Sequence, residues 1–187
     1  MAVPELPGFT MSPDRGRAAK RILYFNGRST ASTNVLEQLD FYLTRWSVAG
    51  PFDFDPDKDF SEQQYGPERD VIPRWEKAQT NPEHIVDLRK LFNFDWKIAY
   101  AVTYLHTEQP QKIAFKINSD DCFALWLNGE PLATVVAGRP IEHVPDIAQG
   151  TLRPGRNTVL LKIGQYSRGW AFKVGVDCEW PIRESEF

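Results

Sequence analysis

The chain has 187 residues, with 22 Lys and Arg against 25 Asp and Glu and a formal net charge of −3. It therefore lacks the clustered basic surface that neutralises phosphates, and nucleic acid is not an expected partner. A chain of this length buries roughly 70% of its unfolded surface without help from disulfides or metal, so the two cysteines, Cys122 and Cys178, read as free thiols.

No stretch approaches ~18 consecutive apolar residues, so no membrane association is expected and the chain reads as soluble. The start, Met1-Ala2-Val3-Pro4-Glu5-Leu6-Pro7, has no signal-peptide pattern. A fragment of a longer secreted protein would begin the same way, so the compartment is unknown. Residues 1–40 read as an N-terminal arm or linker. Pro4, Pro7 and Pro13 break any apolar period there, Arg21 to Phe25 forms a candidate strand, and Thr33 is a candidate cap for a short helix carrying Val35, Leu36 and Leu39.

The module is expected to occupy 41–187. Phe41 to Ala49 reads as a strand ending at Gly50-Pro51, followed by a long irregular acidic segment, 52–70, of the kind that is either functional or disordered. Asp53, Asp55, Asp57 and Asp59 alternate there as in an EF-hand. However, Lys58 stands where that motif needs Gly and Gln64 where it needs Glu, so a solvated loop is favoured over a dedicated cation site. Arg74–Gln79, Ile85–Leu88 and Trp96–Leu105 are short strand candidates. In Lys112 to Asn118 the residues Ile113, Phe115 and Ile117 alternate with polar neighbours, the pattern of a half-buried strand.

Ser119-Asp120-Asp121 then leads into Cys122 to Leu127 and a tight Asn128-Gly129 turn. Glu142-His143-Val144 is a candidate edge strand, Thr158–Gln165 places Val159, Leu161 and Ile163 inward, and Trp170 to Trp180 closes the set. Many short strands, frequent turn signals and at most one short helix predict an all-β fold: a two-sheet antiparallel β-sandwich of jelly-roll type.

Four stretches carry a resemblance: Trp46-Ser-Val-Ala-Gly50-Pro51-Phe52, Tyr65-Gly-Pro67-Glu68, the double Asp before Leu125-Trp126-Leu127-Asn128-Gly129, and Leu152-Arg-Pro-Gly155-Arg-Asn157-Thr-Val-Leu-Leu-Lys162. In that order, over 41–180, they resemble the galactose-binding-like β-sandwich modules. Relatives in that group include the sugar-binding domain of family 2 glycoside hydrolases and accessory modules of bacterial carbohydrate-active enzymes. The resemblance implies a non-catalytic carbohydrate-binding module, with a glycan or a neighbouring catalytic domain as partner. The alternative is a structural or protein-interaction domain without a glycan ligand, since such folds serve both ends. Ser119-Asp120-Asp121 before the hairpin is also similar to the protective-antigen type of lectin domain, whose paired aspartates hold calcium. That likeness implies calcium at Asp120 and Asp121; otherwise no cofactor is required.

The residues themselves leave this pair open between calcium ligands and loop-entry acceptors of backbone N–H groups. Sugar stacking needs exposed aromatic faces beside polar groups, for which Tyr65, Trp75, Trp126, Tyr166 and the adjacent Arg168 are candidates. Trp126 lies opposite Phe123, Leu125 and Leu127 and either stacks a ligand or packs under another layer, whereas Trp170 shares the parity of Phe172 and reads as core. His84, His106 and His143 are scattered without ligand spacing, and no nucleophile elbow or phosphate loop occurs, so no catalytic residue is assigned.

Overall fold

The computed structural model describes residues 41–69 and 73–185. The strand and helix expected within 21–39 lie outside them. In chain order the strands are β1 Phe41–Tyr42, β2 Trp46–Asp53, β3 Glu76–Ala78, β4 Val86–Asp87, β5 Lys97–Thr107, β6 Gln111–Asp120, β7 Cys122–Leu127, β8 Glu130–Val135, β9 Asp146–Leu152, β10 Gly155–Gln165, β11 Ala171–Cys178 and β12 Arg183–Ser185. One short helix, α1 Leu88–Phe92, follows β4.

All pairings are antiparallel and form two sheets. In the five-stranded sheet β1 and β4 share one edge of β11, followed by β6 and β9. The seven-stranded sheet runs β3-β2-β5-β10-β7-β8, with β12 beside β5. The chain passes back and forth between the sheets from β5 to β11, which is the interleaved connectivity of a jelly roll.

The inter-sheet core follows the predicted alternation. Ile113, Phe115 and Ile117 of β6 and Phe172, Val174 and Val176 of β11 face Phe123, Leu125 and Leu127 of β7 and Val159, Leu161 and Ile163 of β10. Trp170 joins this core, and Trp46 meets Phe172 edge to face at 5.1 Å.

Three expected elements differ. The strand expected from Phe41 to Ala49 is split because the chain crosses between sheets at 43–45, where the Glu184 carboxylate accepts from the amides of Thr44 (2.9 Å) and Arg45 (2.8 Å). Ile85–Leu88 gives two strand residues, Val86 and Asp87, the second of which caps α1 by accepting from the Lys90 amide. Glu142-His143-Val144 is a turn instead of an edge strand. There the His143 carbonyl accepts from Asn118 Nδ2 and its ring Nε2 from the Ser119 amide, and Pro145 withholds a ladder donor. The edge strand begins just after it, as β9.

A second apolar layer lies on the outer face of the seven-stranded sheet. Ile98, Tyr100, Val102 and Tyr104 of β5, Cys122, Ala124 and Trp126 of β7 and Leu160 of β10 are buried there beneath Phe54 and Phe60 of the 54–68 segment. The long acidic loop is therefore an ordered third layer. Its carboxylates serve turns: Asp55 Oδ1 accepts from the Asp57 amide, and Asp59 Oδ1 from the amide and hydroxyl of Ser61.

One buried side chain joins the two hairpins at the far end. Asn157, fully buried, accepts from the Arg153 amide (2.8 Å) and from Asn128 Nδ2 (2.9 Å), and donates to the Arg153 carbonyl (2.7 Å). Asn128 Oδ1 in turn accepts from the Thr158 amide at 2.9 Å. Replacing Asn157 with Ala strands these groups, and unfolding in urea is expected to show a loss of about 2–3 kcal/mol. A loss under ~0.5 kcal/mol would contradict the assignment.

Candidate functional site

The register of the seven-stranded sheet builds the site. Asp53 of β2 and Gln165 of β10 both pair with Lys97 of β5, so Phe54, Trp96 and Tyr166 occupy the next rung of three adjacent strands. Two hydrogen bonds continue the ladder through that rung, from the Phe54 amide to the Trp96 carbonyl (3.0 Å) and from the Trp96 amide to the Tyr166 carbonyl (3.1 Å). Rung neighbours share a face, so the three rings cluster: Phe54 and Trp96 lie 5.9 Å apart, Phe54 and Tyr166 5.3 Å, and Trp96 and Tyr166 5.3 Å.

Trp96 is 43% exposed and sits at φ +54°. A bulky residue pays a penalty on the order of 1–3 kcal/mol in that region, and such outliers concentrate at functional sites.

These rings, with Phe60 and Val136, line a cavity of about 260 Å³. Lys58 and Asp59 stand at its mouth. The Ser61 hydroxyl and amide beside Asp59 hold its carboxyl below the usual range, so it faces the cavity as a hydrogen-bond acceptor. Lys58 pairs with Asp55 at 2.7 Å, an exposed contact that adds little stability but leaves ammonium donors at the surface.

Asp121 does not line the cavity but holds two of the segments that do. The carboxylate is 6% exposed, accepting from the Arg139 amide through Oδ1 (2.9 Å) and from the Tyr166 amide through Oδ2 (2.8 Å). It therefore ties the segment leading from Val136 to the loop carrying Tyr166. The Tyr166 hydroxyl accepts from Cys122 Sγ at 3.0 Å, and burial raises the thiol above its ordinary range, so it stays protonated.

Asp120, joined to Asp121 by a cis peptide, differs: no described residue donates to its carboxylate. Desolvation, then the charges of Asp121 and Glu142, push it up to about 6. Gly169 is packed so closely that an added Cβ would lie 2.2 Å from Asp120 Oδ2. Two carboxylates with surplus negative charge suit calcium in chemistry. Calcium takes six to eight oxygens, however, and among the described residues no group of three or more His, Cys, Asp or Glu is placed to hold a metal. Most of its coordination would fall to main-chain and amide oxygens.

Of the sugar-stacking candidates, the structure brings only Tyr166 to the cavity. Trp126 is corrected: at 7% exposure it packs in the outer layer, with no open ring face. Tyr65 and Trp75 are half-buried against that layer, Tyr65 stacking on Phe52 at 5.2 Å. Arg168 is exposed on the Tyr166 loop at φ +70° and does not line the cavity. Each histidine has a local partner: His84 stacks on Tyr42, His106 meets Ser185, and His143 accepts from the Ser119 amide. Trp96, Phe54 and Phe60 escaped sequence reasoning. The available signal was the parity of Trp96 with Ile98 and Tyr100, which puts it on the outer face.

No family model and no curated protein sequence matches the chain. Solved structures with a similar fold include a β-glucosidase from Kluyveromyces marxianus in complex with glucose, at 13% identity and TM-score 0.46 over 73% of this chain and 16% of that one. The chain thus spans about a sixth of that enzyme. The PA14 domain of the antifreeze protein MpAFP matches at 16% identity and TM-score 0.41, over 78% of this chain and 74% of that one. The epithelial adhesin 9 A domain from Candida glabrata in complex with Galβ1-3GlcNAc matches at 11% identity and TM-score 0.41, over 75% and 83%. At such identities and TM-scores these likenesses carry no argument for what this chain binds.

The Asp120 environment has a pH consequence. The folded state holds this proton more tightly than the unfolded chain, whose carboxyl stays near 3.8. The group therefore opposes folding fully above pH ~6, and its penalty fades as the pH falls toward 4. In chelator-treated protein, Asp120→Asn is expected to raise stability at pH 7.5 by on the order of 1 kcal/mol after discounting for solvent screening. That gain should shrink to nothing near pH 4. Thermal melts across that range check it, and a pH-independent difference would refute it.

Proposed function

We propose that this module binds carbohydrate, without catalysis, in the cavity between Trp96, Tyr166 and the 54–60 segment. The observation that carries the reading is the exposed Trp96 ring beside Tyr166 with the Asp59 carboxylate and Lys58 ammonium at the mouth. An aromatic face covers the C–H side of a sugar ring while charged neighbours bond its hydroxyls. At about 260 Å³ the cavity is below the ~300–1,000 Å³ of pockets that enclose drug-sized ligands. It therefore suits a single ring at a chain end, with the rest of the glycan in solvent.

A glycan array followed by titration of tryptophan fluorescence tests this. A saturable change with the sugar hit is expected, along with at least a tenfold weaker affinity in Trp96→Ala at an unchanged far-ultraviolet spectrum. Silence across neutral, acidic and deoxy sugars would overturn the reading in favour of a structural or protein-interaction domain.

Calcium enters as a second element of the same proposal, favoured by the negative charges of Asp121 and Glu142 that bear on Asp120. Asp120 and Asp121 would supply carboxylate oxygens, and the ion would stiffen the bracket behind Tyr166. Calcium added to chelator-treated protein is expected to raise the melting temperature in a saturable way. No shift at millimolar calcium would remove the ion and leave the aromatic cavity as the whole site.

A further inference from the structure

Along the outward face of β10 run Leu160, Lys162 and Gly164, and the buried lysine is the least expected of the three. Lys162 is 1% exposed. Its ammonium donates to the carbonyls of Phe60 (2.9 Å) and Gln63 (2.5 Å), lies 3.2 Å from Glu68 Oε1, and sits 4.6 Å from the Phe60 ring centre. All of these partners belong to the 54–68 segment. A lysine serving only to neutralise Glu68 would have no need of two carbonyls, whereas carbonyls turned out of any ladder and buried need a donor.

The rest of the segment is organised around the same point. Buried Glu68 accepts from the Tyr100 hydroxyl, whose oxygen accepts from the Tyr65 amide at 3.2 Å. Gln63 accepts from the Asp55 amide (2.7 Å) and donates to the carbonyls of Asp55 (2.9 Å) and Lys58 (3.0 Å). The Phe60 ring fills the gap over Gly164, where an added Cβ would meet it at 2.6 Å. Phe54 is held on the ladder rung with Trp96, but the other wall, Phe60, thus stands on a segment that has no ladder of its own to hold it.

We infer that Lys162 is the positioning residue of the cavity, fixing the Phe60 wall opposite the ladder-borne Trp96 and Tyr166. The consequence for ligand binding rests on the carbohydrate reading above. The position of the wall does not.

The test separates holding a wall from merely stabilising the fold. Lys162→Met alone leaves Glu68 as an unpaired buried charge, which destabilises for its own reasons. Lys162→Met combined with Glu68→Gln removes both charges. The double variant is expected to keep the parent's far-ultraviolet spectrum and slow exchange in the strands while amide hydrogen exchange across 57–64 rises at least tenfold and affinity for the array-identified sugar falls at least tenfold. Exchange and affinity both unchanged would overturn the proposal. If the double variant does not fold, the parent decides: slow exchange at 57–64, comparable to the strands, supports the latch, and exchange as fast as in free peptide overturns it. A parent that binds no sugar but keeps slow exchange there refutes the carbohydrate reading and leaves the latch standing.

Discussion

The buried ammonium of Lys162 is the interaction on which the third layer depends. The outer face of the seven-stranded sheet carries Ile98, Val102, Trp126 and Leu160 and is too apolar to face water. The segment that covers it is irregular, so its backbone polar groups are not satisfied by a ladder. A point cation with three donors can gather carbonyls from different positions of such a turn, whereas an apolar side chain would leave them unbonded. Burial draws the Lys162 ammonium below the usual lysine range, while Glu68 and its hydrogen bond pull it back up. Desolvation outweighs the pairing, so the ion pair is not itself a source of stability. What remains is geometric: the cover has one place to sit.

The cavity follows from that placement and from register. Phe54, Trp96 and Tyr166 are set by hydrogen bonds that extend the β2-β5-β10 ladder by one rung, so this wall inherits the rigidity of the sheet. The opposite wall inherits the position of the loop. Asp121 ties the Tyr166 loop to the segment after Val136 by accepting from two backbone amides. The aspartate pair therefore divides its work: one member holds structure, and the other, Asp120, carries charge that no described residue neutralises.

Much of the sandwich was legible in the sequence. Ile113-Phe115-Ile117, the Asn128-Gly129 turn and the β10 alternation each report on neighbours along the same strand, and local pattern is sufficient there. The third layer was not legible, because alternation marks which residues share a face and is silent on whether that face is wet. Trp126 and Lys162 occupy positions that a two-layer sandwich leaves to solvent, so one looked available for a ligand and the other looked ordinary. In the acidic run, Lys58 and Gln64 already argue against an EF-hand, and Asp55 and Asp59 serve local turns. The site combines residues from four separated segments, and only register across three strands shows that they meet.

The division of the cavity into a ladder-borne wall and a loop-borne wall bears on how such a module can change. Residues 55–59 and 61–62 form the turns between Phe54 and the Lys162 anchor, and their side chains lie outside both apolar cores. Altering them would recontour the mouth without disturbing strand pairing or the inter-sheet packing. The design separates tolerance from recognition, and new ligand preferences would be reached most readily by exchanging that short turn between fixed anchor points.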